Sequence, residues 1–293
     1  MALSAVTVFS APLKVVASTP DLASIIKEIG GQNVKVDCIA SPFQNPHFVD
    51  AKPSMIVKLM NADLFVQTGM DLEIGWAPLL IQSSGNKKIQ FGAAGFLDAS
   101  QAIVPMEVPL NPSRAMGDVH PQGNPHYLTD PENGKLVARV IAEKLSELAP
   151  AGSAVFHKNM ESFQSRIDDN MKIWLKEMEP HKGDKFVSYH RIYPYFAARF
   201  GLVQAGEIEP KPGIPPSASH TASLMAIMKA GKVRLILTEP WHESRTPQSI
   251  ARETGAQVVT TSLFPGSAGG TKDYIGALDY NVKGVAQALQ SAK

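Results

Sequence analysis

Short apolar runs alternate with helical patterns along most of this chain, beginning near residue 13. The runs rich in β-branched residues predict strands at residues 14–18, 34–39, 64–67, 89–91, 185–188, 203–207, 234–238 and 257–260. Apolar positions at helical spacing predict helices at residues 21–29, 54–61, 74–82, 130–148, 193–200, 219–230, 246–254 and 274–290. Strands that alternate with helices are typical of α/β folds with mainly parallel sheets, so we expect that fold class.

The longest helical pattern lies in the middle of the chain, where no Gly or Pro occurs between Gly152 and Pro180. Its apolar positions are three or four residues apart and form one stripe: Phe156, Met160, Phe163, Ile167, Met171, Trp174 and Met178. A helix of about 27 residues is roughly 40 Å long, which is enough to span two lobes. We therefore predict an N-terminal α/β lobe at residues 12–150, a linking helix at 151–179 and a C-terminal α/β lobe at 180–293.

Composition supports two folded units and excludes several function classes. The chain has 293 residues, and domains of roughly 100–200 residues make two the natural number. A net charge of +1 lacks the basic footprint of a nucleic-acid binder, so we expect no nucleic-acid partner. The single cysteine, Cys38, excludes an intrachain disulfide and a cysteine-rich metal cluster.

The small, apolar residues at positions 1–11 resemble the end of a secretory signal, which favours export to a periplasmic or other extracytoplasmic location.

Three histidines share a context that favours metal binding. His47 and His126 each follow Asn-Pro in a turn, and His190 comes directly after a predicted strand. Ligands of open α/β sheets bind beyond the carboxyl ends of the strands, and imidazole is a common zinc ligand. Taken singly, a histidine in such a position is more often a surface or hydrogen-bonded residue than a metal ligand. Their shared context, however, favours a metal site.

A fourth, oxygen-bearing ligand is the natural complement to three imidazoles. Glu239 ends the predicted strand at 234–238 and precedes Pro240, so we predict that its carboxylate is the fourth ligand. Alternatively, Glu239 orients one of the ligand histidines, and a water or a loop carboxylate completes the site. His120 lies in the proline-rich loop at 104–125 and could pass metal to the site, while His242 could act at its entrance.

Several of these segments together resemble the metal-type substrate-binding proteins of bacterial ABC importers for zinc and manganese. The segments are Asn45-Pro46-His47, GMDLEIGW at 69–76, NPHYLTDP at 124–131, Ser188-Tyr189-His190, YFAARFGL at 195–202, and Thr238-Glu239-Pro240. The resemblance covers the chain from about Leu13 to its end. It implies two α/β lobes joined by one long rigid helix, with metal bound in the cleft by His47, His126 and His190. Members of this family often take an aspartate ligand from a late turn, where this chain has Thr261.

The function that the resemblance implies is high-affinity binding of a divalent transition metal and its delivery to the membrane permease of an ABC transporter. Three imidazoles favour Zn²⁺ over Mn²⁺, because manganese prefers more oxygen donors. We expect a monomer without enzymatic activity. One alternative is a zinc hydrolase with three histidine ligands and Glu239 as general base, although the chain has no HExxH motif. Another is an adhesin or interaction protein in which the metal is structural.

Overall fold

The computed structural model describes residues 11–111 and 119–291. Its strands are β1 (Leu13–Ala17), β2 (Val34–Cys38), β3 (Leu64–Gln67), β4 (Phe96–Asp98), β5 (Lys185–Ser188), β6 (Val203–Glu207), β7 (Leu235–Thr238) and β8 (Gln257–Thr260). Its helices are α1 (Pro20–Gly30), α2 (Pro53–Met60), α3 (Ala77–Ser83), α4 (Pro131–Leu148), α5 (Ser153–Met178), α6 (Pro194–Phe200), α7 (Ala218–Gly231), α8 (Arg245–Thr254) and α9 (Tyr274–Ser291). None of these helices is both long and apolar enough to cross a bilayer.

The strands form two separate parallel sheets with the same internal order. The first sheet runs β2-β1-β3-β4, and the second runs β6-β5-β7-β8. In the first sheet β1 lies between β2 and β3, and in the second sheet β5 lies between β6 and β7. Each sheet therefore has one switch point, between β1 and β3 and between β5 and β7, where such folds bind ligands. The prediction of two α/β lobes with parallel sheets is confirmed.

The long helix α5 links the two lobes and belongs to their common core. Six of the seven residues in the predicted apolar stripe are buried, and Met160 packs partly buried beside them. The same continuous cluster holds Val15 of the first sheet and Leu235 of the second. The predicted linking helix is thus confirmed in Ser153–Met178, while the limits of the two lobes remain a prediction.

Two local predictions in the first lobe are wrong. Residues 89–91 form no strand: Lys87–Ile89 is a short 3-10 helix, and the edge strand is β4, where Phe96 pairs with Phe65. The apolar residues of this segment serve packing and not strand formation. Ile89 is buried, and the ring of Phe91 lies 4.7 Å from that of Phe96. Apolar side chains that fill a sheet edge resemble a strand in sequence.

The helix predicted at 74–82 begins later, at Ala77. The preceding turn bends through positive φ angles at Met70 and Asp71, and the carboxylate of Glu73 accepts hydrogen bonds from backbone N–H groups within it. These local hydrogen bonds compete with helix formation and delay its start. The predicted helix start at Asp130 is confirmed, since its carboxylate accepts the N–H of Glu132 at 3.0 Å.

The proline-rich segment at 104–125 contains no helix or strand in the part that the structure describes, as predicted. The secretory-signal prediction falls almost wholly on residues 1–10, which lie outside the described residues. The described part of the 104–125 segment runs from the first sheet towards the cleft between the lobes and brings His120 there.

Candidate metal centre

His47 lies in a turn that follows β2 and is held by its own motif. The carboxamide oxygen of Asn45 accepts the backbone N–H of His47 at 3.0 Å and contacts ring Nδ1 at 2.8 Å. The indole of Trp76 donates to the carbonyl of Pro46 at 2.9 Å. Because an amide oxygen only accepts, Nδ1 carries the ring proton and Nε2 keeps a free lone pair. Nε2 is therefore the ring atom of His47 that is able to bind a metal.

His126 repeats this arrangement in the second Asn-Pro-His motif. The side chain of Asn124 accepts the backbone N–H of His126 at 3.0 Å, an Asx-type turn like that of Asn45 and His47. The His126 side chain is buried, and its Nε2 has no hydrogen-bond partner within the described part of the chain. A buried polar atom without a partner is costly unless something binds it. A metal ion is the partner that fits this atom.

His190 comes from the second lobe, directly after β5 and beside the switch point of that sheet. Its Nδ1 lies 2.8 Å from a carboxylate oxygen of Glu209, which follows β6. A carboxylate that accepts the second ring N–H fixes the tautomer and increases the basicity of a metal-binding histidine. Nε2 of His190 is thereby left available. Sequence reasoning missed Glu209, because nothing local connects it to a residue 19 positions earlier.

The three predicted histidines converge. Their ligand atoms all lie within 4.8 Å of one another, and the ring centroids of His47 lie 5.2 Å from that of His126 and 5.1 Å from that of His190. Ligands at about 2.0–2.1 Å from a tetrahedral Zn²⁺ are roughly 3.3–3.4 Å apart. Closing the group around an ion therefore requires shifts of at most about 1.5 Å, which side-chain rotation supplies.

The electrostatics of this group keep the rings of His47 and His126 neutral. Burial, followed by the neighbouring rings of His190, His126 and His120, lowers the pKa of His47 well below its ordinary value. Burial, with smaller contributions from His190 and His120, lowers the pKa of His126 in the same way. Neutral imidazole is the form that binds metal. These rings are thus in their metal-binding form at neutral pH.

Glu239 has one carboxylate oxygen in a hydrogen bond and one without a hydrogen-bond partner among the described residues. It is buried, and its Oε1 accepts a hydrogen bond from the hydroxyl of Tyr193, which also contacts Thr261 at 2.6 Å. Its Oε2 lies 3.2 Å from Nε2 of His242, without the alignment of a hydrogen bond. Glu239 is not a member of the converging group. Its role as a ligand stays a prediction.

His120 approaches the centre more closely than its place in the sequence suggests. Its Nε2 lies 3.1 Å from Nε2 of His47, and the two ring centroids are 5.1 Å apart. Burial lowers the pKa of His120 to about 4. Two cavities meet here: one of about 520 Å³ is lined by His47 and His120, and one of about 420 Å³ by His120, His126 and His190.

The remaining histidines lie apart from this group. His157 is half-buried on α5, and His220 contacts the carbonyl of Glu207 at 3.0 Å. His181 is buried, with Nδ1 3.1 Å from a carboxylate oxygen of Asp184. The turn at residues 182–184 makes this contact possible. The residue types alone do not predict it.

Comparison with known proteins identifies related sequences over nearly the whole chain. Residues 15–288 match a protein family described as zinc-uptake complex component A, periplasmic. A high-affinity zinc uptake system protein ZnuA of Brucella abortus is 30% identical over 132 residues, which are 45% of this chain and 40% of the relative. The match thus spans less than half the length of that relative. A metal ABC transporter substrate-binding lipoprotein, ScbA of Streptococcus cristatus, is 23% identical over 289 residues, covering 96% of this chain and 90% of the relative.

A crystal structure of ZnuA has the same fold. It superposes with a TM-score of 0.80 at 24% sequence identity, and the match covers 94% of this chain and 99% of that one. At this identity the likeness establishes the arrangement of the two lobes and the linking helix. The chemistry of the centre rests on the side chains described above.

Proposed function

This chain belongs to the family of periplasmic zinc-uptake complex A components, and we propose that it binds one divalent transition metal ion between its lobes and delivers it to the permease of an ABC transporter. The observation that carries the proposal is the convergence of His47, His126 and His190, whose ligand atoms lie within 4.8 Å of one another. Two of these rings are oriented through Nδ1, by Asn45 and Glu209, and the third presents a buried Nε2 without a partner.

We propose Zn²⁺ as the preferred cargo, with Mn²⁺ as a weaker one. Neutral imidazole suits zinc, whereas manganese favours carboxylate, carbonyl and water oxygens. Oε1 of the buried Glu239 carboxylate is hydrogen-bonded to Tyr193, and Glu239 is not a member of the converging group. This donor set therefore supports a nitrogen-rich site.

The same proposal places the protein outside the cytoplasm as a carrier without catalytic activity. The family description names a periplasmic component, and the Streptococcus relative is a lipoprotein of a metal ABC transporter. Delivery to a membrane permease is the step that such a carrier serves. The chain is proposed to act as a monomer, with residues 12–150 and 180–293 as its lobes on either side of the linking helix.

Metal content tests this proposal directly. Protein purified without added metal, then loaded and dialysed, is expected to hold about one Zn²⁺ per chain by elemental analysis. In competition, Zn²⁺ is expected to displace Mn²⁺. A protein that retains no metal would contradict the proposed function, and a clear preference for Mn²⁺ would contradict the assignment of the cargo.

Single substitutions identify the residues responsible. His47→Ala, His126→Ala and His190→Ala are each expected to weaken zinc binding by about 100-fold or more, because each removes a ligand and leaves the core intact. Glu209→Gln removes only the partner of His190 and is expected to weaken binding about 10-fold. His157→Ala is the matched control and is expected to bind as wild type. Equal losses in His157→Ala and the other variants would exclude this ligand set.

The zinc hydrolase alternative makes a different prediction. A catalytic zinc needs an open position for water and a general base within reach of it. The zinc-loaded protein is expected to turn over no ester or phosphoester substrate. Turnover that disappears in Glu239→Gln would support the hydrolase instead.

A further inference from the structure

The structure places a fourth imidazole at the metal centre. Nε2 of His120 lies 3.1 Å from Nε2 of His47, which is close to the edge length of roughly 3.3–3.4 Å in a tetrahedral zinc site. His120 also lines the cavity that contains His126 and His190. It thus stands, together with Val119, between the two cavities.

The proton on His47 leaves the nitrogen that faces His120 bare. Asn45 accepts the Nδ1 proton of His47, so Nε2 of His47 carries a lone pair. Nε2 of His120 lies 3.1 Å from this atom. In the tautomer protonated at Nδ1, His120 presents a second lone pair there, and a metal ion that replaces the direct contact accepts both.

The carboxylates around the centre do not match this position. Oε1 of Glu239 accepts from Tyr193 while its Oε2 lies beside His242, and Glu209 is held by Nδ1 of His190. Asp71 lines the larger cavity, where Gln122 contacts it at 3.5 Å. His120, like these carboxylates, lies outside the converging group of three, but its Nε2 already contacts Nε2 of His47.

We propose that His120 is the fourth protein ligand, so that four imidazole nitrogens hold the metal. This inference rests on the proposed function and specifies its ligand set, with His120 in the position that the sequence suggested for Glu239. An all-nitrogen set strengthens the preference for Zn²⁺ over Mn²⁺, because it offers manganese no anionic oxygen. His120 therefore contributes to selectivity as well as to affinity.

Metal affinity of His120→Ala, measured by competition with a chelator, tests the proposal. We expect the affinity for Zn²⁺ to fall at least about 10-fold and the affinity for Mn²⁺ to change less, so that the zinc-to-manganese ratio falls. His157→Ala is the matched control and is expected to keep both affinities. Glu239→Gln is expected to retain the affinity for Zn²⁺ to within a few-fold.

Spectroscopy of the wild type and of His120→Ala gives a second measurement that reports the ligands themselves. X-ray absorption of the zinc-loaded wild type is expected to show four imidazole nitrogens, and Co²⁺-loaded wild type the strong visible bands of a four-coordinate site. His120→Ala is expected to lose one imidazole and to show altered Co²⁺ bands. Three imidazoles in the wild type, or a His120→Ala variant with unchanged zinc affinity and Co²⁺ bands, would overturn this proposal alone. Absence of metal binding by the wild type would overturn the proposed function itself.

Discussion

At the scale of single residues, the buried histidine rings make the stability of the metal-free protein sensitive to acid. The pKa values of His47 and His126 are lowered in the folded protein, chiefly by burial. In the unfolded chain these rings take up protons near pH 6.5. Their stabilising contribution is therefore complete above that pH and is lost as the pH falls towards the lowered folded values.

The test compares the metal-free wild type with the double variant His47→Ala/His126→Ala by urea unfolding at pH 8 and pH 5. We expect the wild type to lose more stability between these pH values than the variant does. Burial raises the pKa of Glu73 to about 7 and that of Asp21 to about 6, which changes stability in the opposite direction. Both carboxyls are present in both proteins, so the difference isolates the two histidines. Equal pH dependence would contradict the prediction.

The residues of the centre differ in how far the sequence reveals them. The two Asn-Pro-His motifs are local, and each folds through hydrogen bonds that span two residues, so the sequence predicts both turns. Glu209 and His120 act through contacts 19 and 73 residues distant. Their positions depend on sheet order and loop path, which no local pattern encodes.

At the scale of elements, α5 carries the stability of both lobes. Trp174 is fully buried in the common core, and its indole donates to Asp279 of α9 at 3.1 Å. Trp174→Ala is expected to lower the free energy of unfolding by about 3–5 kcal/mol, through lost packing and a residual cavity. Because the core is continuous, both lobes are expected to unfold in one transition.

Ile173 is the matched control, since it precedes Trp174 on the same helix and its side chain is 53% exposed. Ile173→Ala is expected to change the free energy of unfolding by less than about 0.5 kcal/mol. Urea unfolding followed by circular dichroism measures both variants. Similar losses in the two would show that the buried face of α5 does not hold the lobes together.

The sequence predicts elements with a strong apolar periodicity correctly, but it does not predict the short edge strand of the first sheet. The stripe on α5 has seven apolar positions at helical spacing, and the structure forms the helix nearly as predicted. The edge strand β4 has three residues and follows a glycine, so its pattern is weaker than that of the apolar residues at 89–91. Tertiary pairing with β3 decides which of these segments becomes the strand.

At the scale of the whole molecule, several contacts tie the lobes together beside the linking helix. Arg199 of α6 forms a bidentate pair with Asp130, at 2.8 and 2.9 Å. The hydroxyl of Tyr274 donates to the carbonyl of Leu128 at 2.7 Å, and that of Tyr195 to the carbonyl of Asn124 at 2.9 Å. These contacts lie next to the centre and restrict rotation of one lobe against the other.

We therefore expect metal binding to move the lobes very little. Small-angle X-ray scattering of the metal-free and zinc-loaded protein is expected to give superimposable curves. Arg199→Ala removes one of the interlobe contacts without touching the centre and is expected to allow a measurable difference between the two states. A large compaction of the wild type on binding zinc would contradict this prediction.

The repeated strand order gives this molecule two equivalent switch points, one in each sheet. At the switch point of the first sheet, the carboxylate of Glu73 accepts the N–H groups of Thr68 and Gly69 at 2.7 and 3.1 Å. The chain thus fills that position with one of its own carboxyl groups. At the switch point of the second sheet, the buried Glu239 follows β7 and accepts from Tyr193, while His190 follows β5 and converges with His47 and His126. The two matching halves therefore contribute unequally to the centre: the second supplies a histidine at a strand end, and the first supplies its two Asn-Pro-His turns.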